Sequence, residues 1–438
     1  MEETGSEIMI RFYKETNFKG TLIGKIPKDW QIVKLKSRVD IETGKRIKGG
    51  ALDKGTVASI GGEHLDNEGN IRWDGMKFIP EYFYKSLKQG KVRLGDILLV
   101  KDGATTGKVA LVRSLRYKKV AVNEHVFVIR SKMHDLVNEF LFYFLFSKFG
   151  QIQIKTRFHG MIGGITKGDI EAVLITLPPS EEQEAIVRIL STIDKAIQKT
   201  NEIIEKTERL KKGLMQELLT KGIGHKEFKD TEIGRIPKEW KVKELKELCK
   251  DITIGVVNPA TPYYTTPNEG VPYFRSQNVR EYKLEPTNIY VKKEFNKKHS
   301  RSISKENDVL TIQTGFIGTS CLVPKAYEGS NCHSLLITRT NPKMLDPRFL
   351  CHFLNSPIGK RMIMRYNSGW GRPHLLLQDF RRIKIPVPEI HEQKKIADII
   401  SSIYEKIEIE KNEKQRLENI KQALMDLLLT GKVRVKVS

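Results

Sequence analysis

Two stretches of this chain repeat each other at a fixed separation, and that duplication limits the possible fold more than any other feature. Residues 21–35 read TLIGKIPKDWQIVKL and residues 231–245 read TEIGRIPKEWKVKEL, identical at eight of fifteen positions with an offset of 210. Gly24/Gly234, Pro27/Pro237 and Trp30/Trp240 are among the identities. The offset returns where LPPSEEQEAIVRIL (177–190) meets VPEIHEQKKIADII (387–400), and again where Leu218-Leu219-Thr220 meets Leu428-Leu429-Thr430. An offset kept over whole units denotes duplication, so the chain reads as two copies of a globular part followed by a long helix. Between the anchors the copies diverge, as expected if each contacts something different. Gly95-Asp96-Ile97-Leu98 still matches Asn307-Asp308-Val309-Leu310, and Asp169 matches Asp379.

The helix in each copy has its own signature. Ile186, Ile189, Ile193, Ile197, Thr200, Ile204, Thr207, Leu210, Leu214 and Leu218 fall at steps of three and four, the seam of a coiled coil. Positions 210 later carry Ile396, Ile399, Ile403, Ile407, Glu410, Lys414, Leu417, Ile420, Leu424 and Leu428, the same seam with a polar centre. Pro178 and Pro388 mark the helix starts. About 40 residues at 1.5 Å each predict rods of roughly 60 Å. The natural partner of such a seam is its own copy. A two-fold relation between the copies sets the helices antiparallel, with the first GxIPxxW segment beside the end of the last helix.

Charge locates a second property. Lys and Arg number 76 against 53 Asp and Glu, a net charge of +23, which suits a polyanionic partner such as nucleic acid, or an anionic membrane surface. Residues 181–222 hold eight basic and eight acidic side chains and residues 389–432 hold eight and nine, so the excess resides in the globular parts. The longest apolar run, residues 140–146, is far too short to span a bilayer. The first fifteen residues mix acids and bases without an apolar core, and the four cysteines form no disulfide or paired zinc pattern; both features suit a cytosolic protein.

Residues 36–176 and 246–385 show short β-type runs at 92–100, 109–112, 120–129, 309–312 and 335–337, with helical patterns at 136–154 and 347–366. Each part therefore reads as a mixed α+β domain with a curved sheet. Several segments carry the residue types that touch DNA. Lys45, Arg46 and Lys48 on a glycine-bearing loop suit phosphate neutralisation, which carries no sequence information. Gly61-Gly62-Glu63-His64 matches Arg275-Ser276-Gln277-Asn278, and these side chains suit base edges: Gln or Asn for adenine, Glu for cytosine, Arg for guanine. Asn123, Glu124 and His125 match the segment containing His333. Arg157, His159 and Lys167 match Arg372, His374 and Gln378.

No catalytic motif is present. GATTGKV (103–109) is one residue short of a phosphate loop and ends in Val, so it reads as a turn between strands. His391-Glu392 lacks the second histidine of a zinc protease. His333 and His352 each adjoin a cysteine, yet a core role for Cys332 and Cys351 outweighs a metal site. No metal ligands and no catalytic residues are expected.

The doubled GxIPxxW segment, the GDILL and GxxxGKVALV stretch (95–112) and the two E-Q-x-x-I helix starts resemble the specificity subunit of type I restriction-modification systems. The resemblance runs from about residue 21 to 432, and at 311–321 the second copy departs from its pattern. It implies two globular α/β target recognition domains, at 21–178 and 223–387, held apart by spacer helices at 179–222 and 388–432 that pair as an antiparallel coiled coil with pseudo-two-fold symmetry. Seam positions Ile186, Ile193, Ile197, Ile204, Leu214, Ile396, Ile403, Ile407, Leu417 and Leu424 would carry that pairing. Residues 1–20 are a leader without a counterpart and 433–438 a tail. The resemblance further implies that each domain reads half of a bipartite double-stranded DNA site. One such chain per complex would dock two methyltransferase subunits, which bring S-adenosylmethionine, and restriction subunits that use ATP and Mg. This chain would hold no cofactor and contact no membrane. The alternative is a basic two-headed scaffold that binds DNA without sequence preference.

Overall fold

The computed structural model describes residues 10–160, 163–368 and 371–437. The chain divides into two compact units, one comprising Met1–Thr200 with Glu413–Ser438 and the other Asn201–Asn412. Each long helix is thus shared between both units. The N-terminal leader begins outside the described residues, but Ile10–Lys14 pairs antiparallel with the tail strand Val433–Val437. The repeat also starts earlier than expected. Phe18–Thr21 forms a hairpin with Gly24–Pro27 just as Phe228–Thr231 does with Gly234–Pro237, so Phe18/Phe228 and Lys19/Lys229 are counterparts.

The repeated motif residues build one joint in each unit. Gly24 and Gly234 adopt φ of 109° and 117°, a region that only glycine occupies without strain, and this closes the hairpin. Beyond it Trp30 and Trp240 are buried, and each indole Nε1 donates to the helix-start glutamate, Glu182 or Glu392, at 3.1 Å. The adjoining Gln183 accepts from the Val137 amide and donates to the Asp135 and Pro178 carbonyls. Gln393 repeats this with Asp346, Met344 and Pro388. The Glu-Gln pair therefore fixes each long helix to its globular part, because burying these groups without partners would cost about 1–3 kcal/mol apiece.

The central sheet of the first unit runs Val39–Thr43, Val126–Ser131, Ile97–Val100, Val109–Leu111, all antiparallel. That of the second runs Cys249–Ile254, Leu335–Thr340, Val309–Ile312, Ser320–Leu322 in the same order. Alternation along Ile97–Val100 sends Ile97 and Leu99 into one core with the helix Asn138–Phe146, and Leu98 and Val100 into another with the strand Val57–Ile60. The helical patterns expected at 136–154 and 347–366 each break into two helices, Asn138–Phe146 with Lys148–Lys155 and Pro347–Asn355 with Pro357–Met364. Ser147 and Ser356 cap the second helix of each pair, and a Cβ on Gly150 or Gly359 would collide with the Phe144 or Phe353 carbonyl.

The long helices span Ser180–Lys221 and Ile390–Leu428. In the first unit Ala185, Ile186 and Leu190 share a core with Met425, Leu428 and Leu429; in the second, Met215, Leu218 and Leu219 share one with Ile396, Ala397 and Ile400. In each unit, then, the start of one helix lies with the end of the other. Of the seam residues, Ile186, Ile197, Ile396 and Ile407 are buried, while Ile193, Ile204, Leu214, Ile403, Leu417 and Leu424 are half-buried. Leu210, Ile399 and Ile420 are exposed, which corrects their assignment to the seam. From Thr207 the inward positions step by four twice, through Lys211 to Met215, and Leu417, Lys421 and Met425 repeat this. Two successive steps of four let a straight helix keep its stripe against one neighbour.

Candidate nucleic-acid interface

The sheet order brings the segments singled out in the sequence to one end of each unit's sheet. In the first unit Val39–Thr43 and Ile97–Val100 finish where Val126–Ser131 begins, with Thr43 opposite Phe127 and Val100 opposite Val126. The loops 44–50, 101–108 and 123–125 therefore emerge together. The Asn123 amide donates to the Ile60 carbonyl, which adds 61–64, and the Ile165 amide donates to the Lys101 carbonyl, which adds 163–165 and, through its paired bonds with Gly164, His159. The second unit repeats the arrangement: Ile254 lies opposite Leu336 and Ile312 opposite Leu335, the His333 amide donates to the Phe274 carbonyl, and the Leu375 amide donates to the Gln313 carbonyl.

Within the first cluster Lys45, Arg46 and Lys48 are exposed. Arg46 lies 3.6 Å from the Glu124 carboxylate, and His125 contacts both Glu124 and Asp102. Lys101 also pairs with Asp102, at 3.6 Å. These charges are only partly covered, so the pairs are weak and a DNA phosphate can compete for their cations. Glu63 is exposed, and Asn123 spends its side-chain oxygen on the His125 amide. His159 contacts Asp169 at 3.1 Å; burial alone would raise that carboxyl, yet hydrogen bonds from Thr166 and His159 hold it below the usual range. Arg157 is half-buried with its guanidinium on the Gln153 carbonyl at 2.6 Å, and Lys167 is exposed beside Glu171.

In the second cluster Ser276, Gln277, Arg372 and Gln378 are exposed, and Arg275, His333 and His374 half-buried. His374 Nδ1 lies 2.8 Å from the Thr314 hydroxyl, and His333 Nδ1 lies 3.4 Å from the Tyr273 hydroxyl. Cys332 is buried, which pushes its thiol up to about 12.

Two expected readers face inward instead. His64 is buried, its Nδ1 accepting from the Gly61 amide at 2.9 Å. Its counterpart Asn278 is also buried, accepting from the Arg275 amide at 3.0 Å and donating to the Pro286 carbonyl at 2.9 Å. Both close a short 3-10 turn that presents its neighbours, Glu63 in one unit and Ser276 and Gln277 in the other. Their polarity serves backbone groups that no strand satisfies, which sequence pattern alone does not distinguish from base reading.

Other residues of the interface carried no signal in the sequence. Gly44 and Gly255 are counterparts: a Cβ on either would strike the carbonyl of Asn123 or Cys332. The loop after them is cationic in the first unit and reads Val256-Val257-Asn258 in the second. There Lys298 and Arg301, distant in sequence, line a cleft of about 480 Å³ with that loop. The segment at 311–321 keeps the turn despite its changed sequence: the Gly107 amide donates to the Val100 carbonyl, and the Gly318 amide to that of Ile312. Among the described residues no group of three or more His, Cys, Asp or Glu is placed to hold a metal ion, and no helix is long and apolar enough to cross a membrane.

Comparison with known proteins follows the duplication in the sequence. A family described as the type I restriction modification DNA specificity domain matches twice, over residues 27–209 and 237–419. The chain is similar to the type I restriction enzyme MjaVIII specificity subunit of Methanocaldococcus jannaschii, 31% identical over 98% of this chain and 99% of that protein. The EcoBI specificity subunit of Escherichia coli is 23% identical over 60% of this chain and 59% of its own length. Among solved structures, the type I restriction-modification S subunit from M. genitalium superposes with a TM-score of 0.60 at 17% identity, covering 94% of this chain and 99% of that one. A chain from a type I R-M system studied for its assembly gives 0.54 at 20% identity, over 93% and 99%. Both share the fold.

Proposed function

Because the chain belongs to the type I restriction modification DNA specificity family, we propose that each unit reads one half of a bipartite double-stranded DNA site. The observation that carries this reading is the convergence, in both units, of cationic and hydrogen-bonding loops on one sheet end. Exposed Lys45, Arg46 and Lys48 supply phosphate contacts, and exposed Gln277 and Arg372 supply groups suited to base edges. The two long helices pair as an antiparallel coiled coil with pseudo-two-fold symmetry and set the separation of the half-sites. The start-to-end packing within each unit supports this. Exposed Leu210, Ile399, Ile409 and Ile420 give the helices apolar surface for docking methyltransferase subunits.

The chain is non-catalytic in this reading and works in the cytoplasm, one copy per complex. S-adenosylmethionine, ATP and Mg are used by the methyltransferase and restriction partners. Co-expression with the cognate methyltransferase subunit, followed by mapping of methylated adenines in genomic DNA, tests it. A single bipartite motif with an unread gap is expected. DNA binding that falls with salt equally for every sequence, with no motif, would replace this reading by that of a non-specific scaffold.

A further inference from the structure

The two reading surfaces differ at matched positions in a way their shared frame does not require. Lys101 and Gln313 are counterparts, since their carbonyls accept from the Ile165 and Leu375 amides; Gly103 and Gly315 follow, with φ of 94° and 86°. The next residue is Ala104 in the first unit and Phe316 in the second. Phe316 is 85% exposed, an unusual state for a phenyl ring, while the adjoining Ile317 is buried. The turn is pinned on several sides. The Gly315 amide donates to the Pro373 carbonyl at 2.9 Å, the Thr319 amide to the Phe316 carbonyl at 3.2 Å, and the Thr314 hydroxyl meets His374. A Cβ on Gly318 would strike Ile363, so the turn lies flat on the unit below it. Arg372 stands beside Gly315 and is exposed.

A second apolar side chain shares this sheet end. Val257 is 62% exposed, at the position where the first unit has the cation Arg46. The reading end of the second unit thus carries two projecting apolar groups at positions where the first has Ala104 and Arg46. Apolar side chains held out on a rigid turn beside cations are the form taken by wedges that enter a base step, unstack it and bend the duplex by about 20–90°.

We propose that Phe316 is such a wedge: it inserts into one base step of the half-site read by the second unit, with Arg372 on the adjacent phosphate, while the first unit reads its half-site without unstacking. This rests on the DNA-reading function proposed above. The test uses the full chain assembled with its methyltransferase subunit. The probes are duplexes carrying the motif found by methylation mapping, with 2-aminopurine placed at successive positions. The wild-type complex is expected to raise 2-aminopurine fluorescence at one step of the second unit's half-site, apart from the methylated adenine, and at no step of the other. Phe316→Ala should abolish that signal, straighten the duplex by fluorescence energy transfer and weaken cognate binding about tenfold. Phe316→Leu should keep part of each.

The substituted side chain is exposed, so the thermal midpoint should be unchanged. An unaltered signal and bend in Phe316→Ala, with the methylation motif intact, would overturn the wedge and leave the DNA-reading function standing. Loss of methyltransferase binding with the bend retained would also overturn it and assign Phe316 to a protein contact. Failure of the wild-type complex to prefer any motif would overturn both readings together.

Discussion

In the first unit the buried Glu182 accepts from Trp30 and from Arg434, whose guanidinium also reaches Asp29 and Glu15 at 2.7–3.0 Å. In the second, Glu392 accepts from Trp240, from the Ile223 amide and from His225, whose other ring nitrogen lies 3.3 Å from Glu239. The same carboxylate at the same joint thus accepts a backbone amide in both units, from Val435 or Ile223, but meets a permanent cation held by three acids in one and an imidazole in the other. A second contrast lies along the helices. Asp194 sits among Arg113, Lys421 and the Tyr143 hydroxyl, whereas the matched Tyr404 lies in an aromatic group with Tyr282 and His352 and with Lys211 4.5 Å from its ring. At both places the frame keeps the position and leaves open whether charged or neutral side chains surround it.

Breaking the joints separates the two solutions most strongly. Glu182→Ala leaves Arg434 buried beside fewer acids and is expected to cost about 3–5 kcal/mol, whereas Glu392→Ala, facing groups that can be neutral, should cost about 1–3 kcal/mol. Chemical unfolding of the two variants measures the difference, and equal losses would erase the contrast.

Acid should sharpen the next one. Burial lowers the His352 pKa to about 3, and the neighbouring Arg348 charge acts in the same direction. The folded state therefore binds fewer protons than the unfolded state between about pH 6.5 and 3, so stability is lost as the pH falls through that range. The second unit should lose about 2 kcal/mol by pH 4.5 while the first, with Tyr143 at the matched position, does not. Hydrogen exchange of the two units at pH 6.5 and 4.5 reads this directly, and His352→Phe should remove it.

At the interface, Gln277→Ala should lower discrimination in one half-site by about 1–3 kcal/mol, seen as relaxed methylation at one or two base pairs. Asn278→Ala should instead lower stability by about 1 kcal/mol and leave the motif unchanged, because its side chain serves the Arg275 amide and the Pro286 carbonyl. A motif altered by Asn278→Ala at full stability would return it to the reading surface. The smallest effect is expected from Lys45→Ala: a uniform weakening on all DNA, with a salt slope shallower by about one.

Only part of this was legible in the residues. The pairing of Gly24 with Gly234, Trp30 with Trp240 and Glu182 with Glu392 was visible because a joint made of rigid geometry and one indole hydrogen bond tolerates few substitutes. The approximate helices followed from their apolar period. Past Thr207 the inward stripe passes through Lys211 in place of Leu210: Leu210 is exposed while Leu214 still packs on the second unit's core, and Lys211 lies inward because its stem covers apolar surface while its charge meets Glu208 and Tyr404.

By itself the sequence determined the duplication, the excess charge of the globular parts and the family. Which polar residues face outward was decided only by the tertiary structure. His64 and Asn278 are as polar as Glu63 and Gln277, but strand pairing elsewhere in the chain sets which of them must satisfy a buried amide. Likewise Lys298 and Arg301 reach the loop after Gly255, and Phe316 stands clear of the core, through contacts between segments far apart in the chain, which no local pattern records.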